Sequence, residues 1–401
     1  MTPKTAGLAK PSQGEPDGAG TTPAAPIQAE TAPHAPDRAE TGQAASDQAK
    51  AAHVDRLLAA AVAAGVFPGC VLVWGRPVQG FSQMACAGTR GLTRGRIPVE
   101  PSLLYDLASL TKILSTTSLL MRAVDQGLAA LSTRLGALDW PLPPDLSQLT
   151  LLDLLTHQSG LPSWRPYHQN PELREPARLK AAILSERPLF RPQQMTLYSD
   201  LNFLLLGLFL TEVFGVDLAT LFRREVADTL GLRRLGFCPA GDDIAPAEDG
   251  PRLGGPLSWP AAPVLGPTPL GRPHDDNAAF LGGAAGHAGL FGSAAEIWRV
   301  VVDWAAAEAE DAGRLVRQDT LRDFLKIRTP AEGPGRGAGF DIGLGPLLEA
   351  RGHLAYTGCS LWWSPETDQA FALLCNRVHP TARGSRMEAF RRELAELLWR
   401  G

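Results

Sequence analysis

Strand-forming segments stand at the two ends of this chain and are scarce between them. "CVLVWG" (70–75) and the weaker "VQGFSQMACAG" (78–88) come early, whereas "HLAYTG" (353–358), "SLWWS" (360–364) and "QAFALLCNRV" (369–378) come late. A two-stranded hairpin is marginal on its own, so the early strands are expected to complete their sheet with the late ones. The fold class that follows is α/β (α+β): an antiparallel sheet formed by both chain ends, flanked by helices, with a mostly helical region inserted.

Helical periodicity supports this division. Val54, Leu57, Leu58, Val62 and Val66 recur at helical spacing and end at Phe-Pro-Gly, and "RMEAFRRELAELLWR" is an amphipathic closing helix. The interior predicts helices over 109–127, 151–157 and 198–214, separated by Pro-rich connectors such as "DWPLPPDL" and "RPLFRPQQ". Residues 239–277 have little periodicity and read as surface loop around a cleft. The expected layout is a sheet subdomain at about 51–105 and 290–401, with the insertion at about 106–289.

Residues 1–50 contain no Phe, Tyr or Trp and are dominated by Ala, Pro, Thr, Gln, Asp and Glu, a composition that predicts a disordered tail. No apolar run of signal-peptide length follows Lys4 and Lys10, so a cytoplasmic location is expected. The strongly apolar stretch "FLLLGLFL" (203–210) is far shorter than the roughly 20 residues of a membrane span. A net charge of -4 offers nucleic acid no basic field. Cys70, Cys86, Cys238, Cys359 and Cys375 form no CxxC pair and read mostly as buried thiols.

Only six of 38 basic residues are lysines, yet Lys112 stands in the apolar run "YDLASLTKILSTTSLLM" (105–121). Asp106 or a polar neighbour is placed to cap the helix, and a spacing of three puts Ser109 and Lys112 on one face. An amine in an apolar pocket loses proton affinity and takes the proton of an adjacent serine hydroxyl, which is otherwise a poor nucleophile. In "YSDLNFLLLG" (198–207), Tyr198 supplies a phenol whose pKa a neighbouring ammonium would lower, making it a proton shuttle. The same residues also fit a structural role, with Asp200 as an N-cap and Tyr198 as a buried ring.

Taken as a set, these segments resemble the serine β-lactamase and penicillin-binding-protein superfamily, particularly its class C-like branch of DD-peptidases and esterases. "DLASLTK" is similar to that family's Ser-x-x-Lys element. "YSDLNFLLLG" is similar to its Tyr-x-Asn element, with Asp200 in the Asn place. "GHLAYTGCSLWWSPE" is similar to its His-Thr-Gly sheet-edge strand, with His353, Leu354 and Ala355 in those places. "LLDLLTHQSGLP" and "HDDNAAFLGGAAGHAGLFGSAAEI" resemble family connectors, so the likeness runs from about residue 51 to the end.

The resemblance implies a serine hydrolase that forms an acyl-enzyme on Ser109, with Lys112 and Tyr198 as its proton-handling groups. It makes the backbone N–H groups of Ser109 and Tyr356 the oxyanion hole. Asp200 would orient Lys112 or the substrate amide, and its carboxylate would hold Lys112 protonated and shift the base role to Tyr198. Leu354 lacks the hydroxyl that would bind a substrate carboxylate, and Ala355 narrows the strand beside the substrate, so an atypical substrate is expected. The partner would be a small-molecule ester or amide, or a peptidoglycan-derived fragment, with no cofactor required and the oligomeric state left open.

Other signals are weaker. "LGGAAGHAGLFG" (281–292) lacks the GK[ST] ending of a phosphate loop and reads as a close-packed turn or cleft wall. His274, Asp275 and Asp276 are adjacent donors without a second HxxxH or CxxC element, so no metal is expected. His157 and His287 read as structural hydrogen-bonders, and no GxSxG elbow occurs. The alternative reading is a noncatalytic ligand-binding or scaffold protein that keeps the fold with a degenerate third element.

Overall fold

The computed structural model describes residues 38–93, 95–249, 267–329, 335–343, 349–382 and 386–399. The chain divides into two units, Met1–Ala45 and Ser46–Gly401; of the first, the described part is the opening of a helix, Arg38–Ala63. The boundary expected at residue 50 falls inside that helix, because the Ala-rich run before Val54 has high helix propensity and extends the turn pattern towards the N-terminus. Residues 1–37, and residues 250–266 of the expected surface loop, lie outside the described residues.

Among the described residues the strands are β1 (Gly69–Arg76), β2 (Phe81–Gly88), β3 (Tyr105–Asp106), β4 (Gly236–Phe237), β5 (Leu290–Gly292), β6 (Gly335–Arg336), β7 (Asp341–Ile342), β8 (Arg351–Leu354), β9 (Ser360–Ser364) and β10 (Gln369–Cys375). Seven form one sheet in the order β2-β1-β10-β9-β8-β7-β6, and β3-β5-β4 form a second, small one. The large sheet joins the two chain ends as expected: β1 runs antiparallel to β10, from Cys70 opposite Cys375 to Gly75 opposite Ala370.

The period-2 pattern of strands explains how this sheet carries two cores. Cys70, Leu72 and Trp74 of β1, with Phe371, Leu373 and Cys375 of β10, face Val54 and Leu58 of the first helix and Phe390, Leu394 and Leu398 of the closing helix Met387–Trp399. Val71 and Val73, with Ala372 and Leu374, belong to the opposite core with Val300, Val301 and Trp304 of the helix Ala294–Glu310. That core is continuous with Leu110, Ile113, Leu114, Phe203, Leu206 and Leu210 of the insertion. Truncating a fully buried leucine such as Leu72 or Leu373 to alanine is expected to cost about 2–5 kcal/mol.

Within the insertion, the helix Leu151–Leu155 starts with a reciprocal Thr150–Asp153 capping box. The helix Asp200–Phe214 ends at Gly215 in the left-handed conformation. The helices Ala294–Glu310 and Gln318–Leu325 were not anticipated and lie inside the C-terminal part assigned to the sheet. Among the described residues no single helix is long and apolar enough to cross a membrane.

Candidate active site

The segment that carries Ser109 folds as strand, sharp turn and helix. Asp106 ends β3, and Ala108 adopts φ 41°, a left-handed conformation that costs a non-glycine residue free energy and persists where surroundings impose it. Asp106 imposes it here: its Oδ1 accepts the Ala108 N–H (2.9 Å) and its Oδ2 accepts the His274 N–H (2.7 Å). Asp106 therefore braces the turn before Ser109 instead of capping the helix, as its spacing had suggested. The helix then opens through a wide π-helical stretch, Lys112–Thr117, a departure from α-geometry that recurs at functional sites.

Four side chains from two segments meet at Ser109. The Lys112 Nζ donates to Ser109 Oγ at 3.0 Å, to Asp200 Oδ1 at 2.8 Å and to the His287 carbonyl at 3.1 Å. The Tyr198 hydroxyl donates to the same Ser109 Oγ at 3.0 Å. Lys112 is completely buried, whereas Ser109, Tyr198 and Asp200 keep partial exposure, so the cluster opens on the serine side.

These contacts reverse the expectations that burial strips Lys112 of its proton and that the ammonium lowers Tyr198, and agree with the expectation that the Asp200 carboxylate keeps Lys112 protonated. Burial opposes the charge on Lys112, but Asp200 and Tyr198 outweigh it and hold the ammonium above the ordinary lysine range. Tyr198 moves up as well: burial raises it and the Asp200 charge adds to this, against the lowering influence of Lys112. The resting site is thus an ammonium, a phenol and an alcohol, with Asp200 as the adjacent negative charge. The reason is the carboxylate in the Asn place, which supplies the counter-charge that an amide lacks.

The third element divides into a side-chain part and a backbone part. β8 is interior to the sheet and not its edge, but β7 pairs with its Arg351–Gly352 half, and among the described residues no strand pairs with the His353–Leu354 half on that side. His353 is buried, its Nδ1 donates to the Leu354 carbonyl (2.6 Å), and burial together with the Lys112 and Arg336 charges lowers its pKa despite Asp341. Its ring centroid lies 5.9 Å from that of Tyr198. Leu354 is half-buried and Ala355 buried.

Beyond Leu354 the chain turns through residues 355–358 and presents Tyr356, 56% exposed. This turn is tied to the serine turn, since Thr357 Oγ1 donates to the Asp106 carbonyl (2.8 Å). From the closing helix, Arg391 Nη2 donates to the carbonyls of Ala355, Gly358 and Cys359, each at 2.9 Å. Among the described residues the Ser109 and Tyr356 N–H groups have no hydrogen-bond acceptor.

Several residues around the site carried no readable signal in the sequence. Ala108 and Arg391 are ordinary in composition, and Arg336, whose guanidinium lies 5.6 Å from the Tyr198 ring centroid, comes from the two-residue strand β6. Tyr356 stacks on His274 (5.5 Å) and under Arg377 (4.5 Å). His157 accepts the Ser199 N–H at Nδ1 (3.0 Å), the structural role assigned to it. Asp275 caps the helix Asp276–Phe280 and meets His287, and Asp200, Asp275 and His287 bring donor-type atoms within 4.8 Å of one another. The Lys112 ammonium already stands against this acidic group.

A model of the family described as Beta-lactamase matches residues 52–396. The chain is 29% identical over 271 residues to an N-acetylmuramyl-L-alanine amidase of Bacillus subtilis (strain 168), covering 61% of this chain and 60% of that one. It therefore spans less than two thirds of that relative's length. It is 24% identical over 361 residues to a putative D-alanyl-D-alanine carboxypeptidase of Escherichia coli O157:H7, covering 81% and 82%. Among solved structures, EstCE1, described as a hydrolase with promiscuous acyltransferase activity, superposes with a TM-score of 0.69 at 22% identity over 88% of this chain and 99% of that one. A class C beta lactamase from Rhodobacter sphaeroides gives 0.63 at 18% identity over 86% and 98%. At these identities the two structures speak to the fold.

Proposed function

The chain is a hydrolase of the beta-lactamase family, and from that premise we propose that it forms an acyl-enzyme on Ser109 from an ester or amide substrate. The observation that carries this reading is the convergence of Lys112 Nζ and Tyr198 Oη on one serine oxygen, each at 3.0 Å. An alcohol with two donors aimed at its oxygen is suited to bear negative charge as it attacks a carbonyl.

The Asp200 carboxylate makes the proton route differ from that of a free amine. As Ser109 attacks, Lys112 takes the serine proton while passing one of its own to Asp200, so the cluster keeps its total charge. The N–H groups of Ser109 and Tyr356 receive the oxyanion. Collapse expels the leaving group, which takes the Tyr198 proton, and the phenolate regains it from Asp200 through Lys112. A water molecule then attacks the acyl carbonyl, its proton follows the same circuit to Ser109, and the acid is released.

The relatives are named for an amidase and a D-alanyl-D-alanine carboxypeptidase, and EstCE1 is described as a hydrolase. Leu354 offers no hydroxyl to a carboxylate next to the scissile bond, which favours small esters or amides, peptidoglycan-derived fragments included, that lack a carboxylate there. The test is intact-protein mass spectrometry after exposure to a fluorophosphonate. One adduct on the wild type and none on Ser109→Ala is expected. An unlabelled wild type, or equal labelling of the variant, would instead favour a ligand-binding role for the fold.

A further inference from the structure

The glycine-rich segment and the His274–Asp276 stretch singled out in the sequence have no part in the chemistry above, yet they converge behind Lys112. The third acceptor of the ammonium is the backbone carbonyl of His287, in an irregular loop that no helix or strand ladder holds. Three other contacts fix that loop. Gly286 packs against the helix Asp200–Phe214 so closely that a Cβ there would fall 2.0 Å from the Phe203 carbonyl oxygen. Thr116 Oγ1 donates to the Gly286 carbonyl at 2.6 Å. The His287 imidazole, itself buried, directs Nε2 to Asp275 Oδ1 at 2.9 Å, while its buried Nδ1 has no partner among the described residues.

Asp275 is anchored in turn, because the same Oδ1 accepts the Ala278 N–H at 2.7 Å as the cap of the helix Asp276–Phe280. A chain of contacts thus runs from a helix cap, through an imidazole and its own carbonyl, to the lysine and Ser109 Oγ. It also places a second carboxylate in the group of donor atoms within 4.8 Å that includes Asp200. Burial opposes the Asp275 charge, but His287, the Ala278 N–H and Lys112 hold its carboxyl well below the usual range.

We propose that Asp275 and His287 are a positioning pair for Lys112: the pair fixes the His287 carbonyl that takes the third ammonium proton and adds a second negative charge beside Asp200. This rests on the reading of Ser109 as the nucleophile. Its consequence is that the rate of serine attack depends on a carboxylate and an imidazole that touch neither substrate nor the reacting oxygen. The remaining charged and titratable groups around Lys112 are Asp200 and Tyr198 from the Asp200 helix and its lead-in, His157 from the connector, and His353 and Arg336 from the sheet.

The experiment is the second-order rate constant for fluorophosphonate labelling, counted per reactive serine so that a misfolded fraction drops out. Asp275→Asn keeps the shape and the cap but removes the charge; His287→Leu removes the Nε2 donor. Each is expected to slow labelling about tenfold, the scale of one charge-assisted hydrogen bond. Groups acting through one lysine are not additive, so Asp200→Asn/Asp275→Asn should lose clearly less than the product of the two single losses. Unchanged rates in Asp275→Asn and His287→Leu, or a double loss equal to the product, would overturn the positioning role and leave Ser109 as nucleophile. A wild type without an adduct on Ser109 would overturn both.

Discussion

The serine cluster and the end of β8, joined by the Thr357–Asp106 hydrogen bond, are built in opposite ways. Around Ser109 the groups that carry charge are side chains: a carboxylate, a phenol and an ammonium set one another's charge, and of the three Lys112 acceptors only the His287 carbonyl is backbone. At His353–Tyr356 the side chains offer little. The imidazole is turned to its own chain, Leu354 is apolar, and what faces the site is backbone held from behind by Arg391 and Thr357. A function carried by backbone N–H groups survives side-chain replacement, whereas one carried by a hydroxyl does not. The proposed mechanism accordingly asks the third element for transition-state stabilisation through its backbone and not for substrate selection through its side chains.

The largest effect should come from breaking the side-chain half. Asp200→Asn removes the counter-charge that holds the ammonium and the acceptor at the end of the proton route. Turnover of p-nitrophenyl esters should fall about 10²-fold, the scale of acid–base assistance. The sign of the pH effect follows: losing a carboxylate lowers the Lys112 pKa, so loss of the ammonium on raising pH comes at lower pH than in the wild type. A variant whose alkaline limb stays in place would show that Asp200 is not the dominant influence.

The backbone half should break from a distance. Arg391→Met removes the donor shared by two carbonyls of the turn and that of Cys359 just after it. We expect kcat to fall about tenfold and stability by about 1–3 kcal/mol, since the Gly358 carbonyl loses its Arg391 donor while those of Ala355 and Cys359 keep only a backbone one. Steady-state kinetics and denaturant unfolding report the two separately. Equal kcat at reduced stability would separate this turn from catalysis.

A smaller change sharpens the contrast. Leu354→Thr/Ala355→Gly restores a hydroxyl and space on β8 without touching the cluster, and one added hydrogen bond should raise kcat/KM for carboxylate-bearing cephalosporins or D-Ala-D-Ala peptides roughly fivefold to tenfold. Uncharged esters should be unaffected. A uniform change across both substrate groups would mean that these positions act on the backbone and not on selectivity.

The smallest expected effect is none at all. Burial and neighbouring cations hold His157 and His353 below the ordinary histidine value, so they add no inflection to the pH–rate profile at about 6 to 7. A limb there that disappears in His353→Asn would assign that imidazole a protonated role.

What could be read before the structure divides along similar lines. The sheet was legible because β1, β9 and β10 are long enough to show their strand character, and the terminal helices because Val54, Leu58, Leu394 and Leu398 keep helical spacing. Strands of two residues such as β6 and β7 have no periodicity to read, so Arg336 beside Tyr198 was not foreseen. The composition of the cluster was legible, since Ser109, Lys112, Tyr198 and Asp200 stand in recognisable segments. Its charge state was legible only in part: the carboxylate in the Asn place pointed to a protonated Lys112, but burial pointed the other way, and the balance rests on Asp200, 88 residues away, meeting the ammonium at 2.8 Å. Proximity in sequence suggested Asp106 as a cap, yet a contact with His274 made it a brace for the serine turn.

The most direct measurement is to quench turnover of p-nitrophenyl acetate with acid and map the peptides by mass. The mechanism predicts an acetyl group on the peptide that carries Ser109, forming at the rate of p-nitrophenol release and absent in Lys112→Met. Turnover with that peptide unmodified, or with the acetyl group on another residue, would contradict it.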